Sequence, residues 1–292
     1  MIVFLQQLIN GLSLGSIYAL VALGYTMVYG IIKLINFAHG DIYMLGAYFG
    51  FLAITYLNVG FLPAILIAMV GCAIVGVTIE RIAYKPLRHA TRIAALITAI
   101  GVSYFLEAGT QRVLGTQVRV FPEMLGTDAI MLGGLRITME QVYIFVTTIV
   151  LMLILQFIVN KTKIGRAMRA VSTDADAARL MGINVDSTIS FTFAIGSALA
   201  GAAGVLVGVY YNSINPLMGM IPGVKAFIAA VFGGIGIIPG AMFGGFFIGI
   251  CEAIVTGYGG SLFKDAVVYV ILIIILVIKP AGLLGKNVKE KV

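Results

Sequence analysis

Charge is what this 292-residue chain has least of: Asp, Glu, Lys and Arg make up 11% of it, against about 25% in an ordinary soluble protein. Hydrophobic residues reach 61%, so too few polar side chains remain to cover a water-facing surface. Strand-like alternation of apolar and polar residues over about ten positions is missing too, which excludes a transmembrane β-barrel. Cysteine is scarce: Cys72 and Cys251 sit in apolar stretches with no second ligand type at metal spacing, so they speak neither for a metal site nor for a redox compartment. The only histidines, His39 and His89, offer no nucleophile–base constellation, and catalysis by this chain is not expected. No Gly-x-x-x-x-Gly-Lys-Ser/Thr occurs, so neither ATP nor another cofactor is expected to bind here. Met1 to Ile9 lacks the basic start and small-residue cleavage site of a secretory signal, and reads as the start of the mature chain.

What the chain does have is long apolar runs, the mark of an all-α, polytopic transmembrane bundle. About eight hydrophobic spans are expected. Their approximate limits are Leu5–Ile32, Ile42–Leu57, Phe61–Ile79, Ile93–Gly109, Val142–Val159, Ile189–Tyr210, a long stretch 222–257, and Ala266–Ile278. Residues 110–140 read as a turn-rich extramembrane segment, with Pro122 and the Gly133-Gly134 pair. The stretch 222–257 exceeds one crossing of about 20 residues and is interrupted by Gly233, Gly234, Gly236, Pro239 and Gly240. It reads as a broken or re-entrant helix, or as two short crossings. Small residues recur every fourth position at Gly196, Ala200, Gly204 and Gly208, a pattern for close helix packing or a dimer face.

The net charge of +7 raises the question of a nucleic-acid partner, but the position of the charges answers it. Arg81, Lys85, Arg88 and Arg92 cluster in one loop, and Lys161, Lys163, Arg166, Arg169 and Arg179 in another. Lys279, Lys286, Lys289 and Lys291 fill the tail. Basic loops beside apolar spans follow the positive-inside rule, so the partner is the lipid bilayer and not nucleic acid. Placing these loops and Lys33 in the cytoplasm puts the N-terminus outside and the C-terminus inside. Arg112, Arg119, Arg136, Lys225 and Lys264 then face outward, and 222–257 must start and end on the outer side.

The long loop 160–187 carries local helix signals. Thr173 or Asp174 suits an N-cap, Asp176 falls in the first turn, and Gly182 suits the C′ position that ends the helix after about two turns. A helix so short is marginal alone, so a partner is expected to hold it.

The stretch Gly165-Arg-Ala-Met-Arg-Ala-Val-Ser-Thr-Asp174-Ala-Asp176-Ala-Ala-Arg179-Leu-Met-Gly182-Ile-Asn-Val185 closely resembles the coupling loop of permease subunits of bacterial ABC importers for branched-chain amino acids. The blocks Asn10 to Tyr25, Ile35-Asn-Phe-Ala-His-Gly-Asp41, Gly233 to Gly240 and Lys279 to Gly285 resemble the same family, so the likeness covers nearly the whole chain. It implies one permease domain over 1–292, the shorter of two paired permeases, in the bacterial inner membrane. It also implies a second permease, two cytoplasmic ATPase subunits that bind the ATP, and an extracytoplasmic substrate-binding protein. Carried over from the family, Asp174, Asp176, Ala177, Ala178, Arg179, Leu180 and Gly182 contact the ATPase. The better-known Glu-Ala-Ala of such loops is Asp176-Ala-Ala here. An ion-coupled secondary transporter of small neutral solutes is the alternative.

For the translocation path the candidates are Asn36, His39, Asp41, Gly233, Gly234, Gly236, Pro239 and Glu252. Asn36, His39 and Asp41 interrupt an apolar region, either as a broken helix at the path or as a cytoplasmic-side turn capped by Asp41. Glu80 is expected to pair with Arg81 or Arg88, and Glu107 with Arg112 near the outer surface. Glu252 has no basic neighbour in sequence, so it reads either as a path residue or as one half of a pair completed from elsewhere. The break at 233–240 is expected to leave backbone groups open to an amino acid, or to be a hairpin turn.

Overall fold

The computed structural model describes residues 1–34, 36–88, 90–126 and 128–285, which form eleven α-helices and two small two-stranded sheets. Ile35, His89, Lys286, Lys289, Lys291 and the side chain of Arg92 lie outside the described residues. Eight helices are long and apolar enough to cross a membrane. They are α1 (Ile2–Ile32), α2 (His39–Leu57), α3 (Phe61–Ile79), α4 (Arg92–Leu114), α5 (Met139–Lys161), α8 (Val185–Tyr211), α10 (Ile238–Gly257) and α11 (Lys264–Ile278), the last counted with the 3-10 turn Ser261–Phe263 before it. Between them lie α6 (Lys163–Thr173), α7 (Ala175–Leu180) and the short α9 (Met220–Gly233).

Several helix ends follow local chemistry. Asn58 after α2 and Asn212 after α8 adopt the left-handed conformation that Asn tolerates. Thr138 and Gln141 close a reciprocal capping box at the start of α5. Past Ile79, α3 continues as a π-helical turn over Glu80–Tyr84 and a 3-10 turn over Lys85–Leu87.

The core is the seam between α1 and α10, flanked by α2, α8 and α9. The two helices run antiparallel, with Gly11 beside Ile250 and Gly15 beside Phe246. A β-carbon on Gly245 would lie 2.4 Å from the Ala19 Cα, so only glycine permits this approach. The α2–α8 crossing is similar: a β-carbon on Gly204 would lie 2.2 Å from the Tyr43 carbonyl oxygen. The small-residue spacing of α8 is therefore used for packing inside the chain.

Two differences from the sequence expectation concern the ends of the bundle. Residues 110–140 are partly ordered secondary structure: α4 runs on to Leu114, β1 (Arg119–Val120) pairs with β4 (Ser213–Ile214), and β2 (Ala129–Leu132) pairs with β3 (Leu135–Thr138). At the opposite end, 160–187 holds two helices in place of the single expected one, because Gly165, Met168 and Val171 give α6 an apolar face to bury. That second end carries Lys33, Arg81, Lys85, Arg88 and the basic residues of α6 and α7, and is called the basic end below.

Candidate functional site

At the basic end, α7 is fixed by its own sequence. The Asp174 carboxylate accepts from the backbone N–H groups of Asp176 (3.0 Å) and Ala177 (2.9 Å). At the other end Gly182 takes φ +81°, while Ile183 N–H donates to the Ala178 carbonyl and Gly182 N–H to that of Arg179. This is the two-bond C-terminal cap expected of glycine at C′. The result is a rigid protrusion of less than two turns with Leu180 89% and Met181 83% exposed at its tip. Asp176, Ala177 and Arg179 are exposed as well, whereas Ala178 is buried against its own chain. Ala178 therefore seats α7 and does not face outward as the resemblance implied.

Behind α7 lies a cavity of about 720 Å³, lined among others by Ile32, Lys33, Arg88, Asp176 and Arg179. A chain of ions braces its wall. Glu80 pairs with Arg88, one of the two expected partners; Arg88 reaches Asp186 at 2.5 Å, and Lys85 reaches Asp186 at 2.7 Å. Ser190 donates to Glu80 at 2.6 Å. The end of α3 is thereby tied to the start of α8.

Deeper in the bundle, α2 starts inside the protein. The His39 ring packs against Gly24, eight residues before the end of α1 and hence about 12 Å from it at 1.5 Å per residue. Tyr84 donates to the Asn36 side-chain oxygen at 2.7 Å, and Asn36, His39 and Asp41 are all buried. The expected cap is thus corrected: α2 carries no side-chain cap, and Asp41 sits in its first turn, favourably for the helix dipole. Gly40 allows this depth, since a β-carbon there would lie 2.5 Å from the Gly219 carbonyl oxygen just before α9. Asp41 and Glu107 face one cavity of about 390 Å³ together with Tyr25, Ser103 and Tyr104. The expected pair of Glu107 with Arg112 does not exist among the described residues, because α4 turns the carboxylate toward α2.

The partner of Glu252 comes from α9. Lys225 Nζ lies 2.7 Å from Glu252 Oε1 and 2.6 Å from Asp265 Oδ1, and Tyr18 donates to Glu252 Oε2 at 2.8 Å. Lys225 is 3% exposed, so its charge is spent inside the bundle and not in water. Sequence reading misses Lys225, Asp265 and Tyr18 as site residues. A lone lysine within the apolar run 222–257 is the available signal.

The break in that run falls at residues 234–237, between α9 and α10. Gly234 (φ +107°) and Gly236 (φ +92°) make the turn, and Pro239 is the second residue of α10, where its missing N–H costs nothing. The turn lies beside Gly30, near the basic end of α1. The carbonyls of Phe232 and Gly233 are not open, because the N–H groups of Leu283 (2.8 Å) and Leu284 (3.1 Å) bond to them. Gly236 and Ile238 share a small cavity with Gly30 of α1 and Arg169 and Ser172 of α6. The structure thus brings the break close to α6 but away from Asp41 and Glu252.

A family model described as the permease component of branched-chain amino acid transport systems matches residues 7–276. BraD, a high-affinity branched-chain amino acid transport system permease protein of Pseudomonas aeruginosa, is 44% identical over 301 residues, covering 99% of this chain and 98% of its own. LivH of Escherichia coli (strain K12), of the same description, is 44% identical over 305 residues with the same coverage. A probable branched-chain amino acid transport permease protein of Methanocaldococcus jannaschii is 31% identical over 294 residues, covering 94% of this chain and 90% of its own. No solved structure matches.

Proposed function

The chain belongs to the permease component family of branched-chain amino acid transport systems, and on that premise we propose that it is the membrane subunit of an ATP-driven importer for branched-chain or other neutral amino acids. It spans the bacterial inner membrane with its N-terminus outside and its basic end in the cytoplasm, a reading supported by the distribution of Lys and Arg. A second, homologous permease completes the translocation path. Two cytoplasmic ATPase subunits bind the ATP, and an extracytoplasmic binding protein delivers the substrate.

The observation that carries this reading is the tip of α7. Two large apolar side chains held in water by a helix capped at both ends form a surface made to be covered by a partner. In the assembly Leu180 and Met181 seat in a groove of the ATPase, with Asp176, Ala177 and Arg179 at its rim, while Asp174 and Gly182 hold α7 in shape and Ala178 anchors it. Motion passes from α7 through α6 to the cavity shared with Gly30 and Gly236, and so to the α9–α10 turn. Gly233, Gly234, Gly236 and Pro239 then act at the inner lip of the path. Asn36, His39, Asp41 and Glu252 border it at greater depth, where ionisable groups are costly unless used.

Ion-coupled secondary transport is not favoured, because the family model and the relatives that match nearly the whole chain are permease components of branched-chain amino acid transport systems. Purification from the native membrane, followed by reconstitution with leucine, the binding protein and ATP, tests the proposal. Two ATPase chains and a second permease should co-purify, and uptake should require ATP. A lone chain supporting gradient-driven uptake would overturn it.

A further inference from the structure

Between α1, α2, α8, α9 and α11, at the end of the bundle that carries the strands, lies a cavity of about 400 Å³. Its volume is within the roughly 300–1,000 Å³ of small-molecule sites. The wall is polar in an unusual way for a chain so poor in charge. Tyr18, Tyr43, Lys225, Glu252, Lys264 and Asp265 all line it.

The ion cluster is not balanced on its own. Lys225 meets two carboxylates, Glu252 at 2.7 Å and Asp265 at 2.6 Å, which leaves one negative charge in excess. Lys264, at the first turn of α11, lines the same cavity and has no carboxylate within ion-pair distance among the described residues. The cavity thus presents an excess negative charge on one side and a positive charge on the other. Tyr43 lines the cavity, and its buried hydroxyl has no hydrogen-bond partner among the described residues. A buried hydroxyl left without a partner is costly, and a buried ion pair is itself a poor source of stability. A structural bolt between α9, α10 and α11 would be closed over by apolar packing. This cluster opens onto space.

We propose that the cavity is a binding subsite for the zwitterionic head group of an α-amino acid, with the ammonium held by Glu252 and Asp265 and the carboxylate by Lys264 and the Tyr43 hydroxyl. Lys225 acts as a positioning residue that holds the two carboxylates side by side. The inference rests on the reading of the chain as an amino-acid permease. The aliphatic part of the substrate would lie toward Val207, Met218 and Ile221 on the same wall.

The test uses the complete transporter carrying Cys72→Ala, Cys251→Ala and Ser213→Cys, since Ser213 lines the cavity. The rate at which a membrane-impermeant maleimide labels the introduced thiol is measured with and without millimolar L-leucine. A site about nine-tenths occupied leaves about one-tenth of molecules open, so labelling should slow roughly tenfold. Isoamylamine, which lacks the carboxylate, and 4-methylpentanoate, which lacks the ammonium, should protect little. Glu252→Gln should abolish protection by leucine, and Asp265→Asn, at a half-exposed helix start, serves if the first variant does not assemble. Equal protection by leucine and both fragments, or unaltered protection in an assembled variant, would overturn the subsite. ATP-driven leucine uptake by the same complex without any protection would also overturn it while leaving the proposed function intact. Loss of both would sink the two together.

Discussion

The α1–α10 seam and the helices α4 and α11 are all apolar enough for a membrane and could hardly be built more differently. Along the seam, Gly11, Gly15, Gly245 and Gly249 bring backbones together so closely that no side chain fits between. On α4, Gly101 and Gly109 have nothing within 4 Å, and Ile93, Ile97 and Phe105 point away from the rest of the chain. On α11, Ile273, Ile274, Val277 and Ile278 do the same. Inside a bilayer the hydrophobic effect cannot tell these helices apart, because lipid is as apolar as leucine. Close packing of small residues and buried polar ties decide which helices form the core, and the large apolar side chains of α4 and α11 are left outside it.

Substitutions of equal chemistry in the two regions sharpen the contrast. Gly245→Leu forces a branched side chain against the backbone of Ala19, beyond the about 1–3 kcal/mol of ordinary overpacking. This variant should fail to accumulate as folded protein in detergent, whereas Gly101→Leu on α4 should keep the parent Tm. Equal behaviour of the two would break the comparison. Next in size is Lys225→Met, which leaves the buried Glu252 beside the half-exposed Asp265 without their cation and should lower stability by about 3–5 kcal/mol. Adding Glu252→Met should recover part of that loss in thermal unfolding. Tyr84→Phe leaves the buried Asn36 oxygen without its donor, for about 1–3 kcal/mol. Smallest of all, Ile273→Val on the outward face of α11 should stay within about 0.5 kcal/mol of the parent.

Features encoded within a few residues are legible in the amino-acid sequence alone. The α7 helix can be read because Asp174 and Gly182 are local signals, and the spans because bilayer thickness sets their length. Gly133-Gly134 is recognisable as turn chemistry, although the hairpin it joins is not, since two strands of four residues are too short to show their alternation. What stays hidden is set by partners far away in the chain. The depth at which α2 starts depends on Gly24 and Gly219, and the ion pair of Glu252 on a lysine 27 residues earlier. The carbonyls at the end of α9 are satisfied by Leu283 and Leu284, about fifty residues on, and no local pattern announces such a contact. For α7, no local signal shows which side chain turns inward: Ala178 is buried against its own chain, because a six-residue helix must bury one residue to be held at all.

The coupling role of α7 is the central claim, and its tip offers the most direct measurement. Leu180 and Met181 touch little of their own chain, so Leu180→Asp together with Met181→Asp should leave the Tm of the isolated permease unchanged. Co-purification of the ATPase subunits and ATP-driven leucine uptake, measured on that double variant, should both be lost. Parent-level uptake with the ATPases still bound would contradict the account.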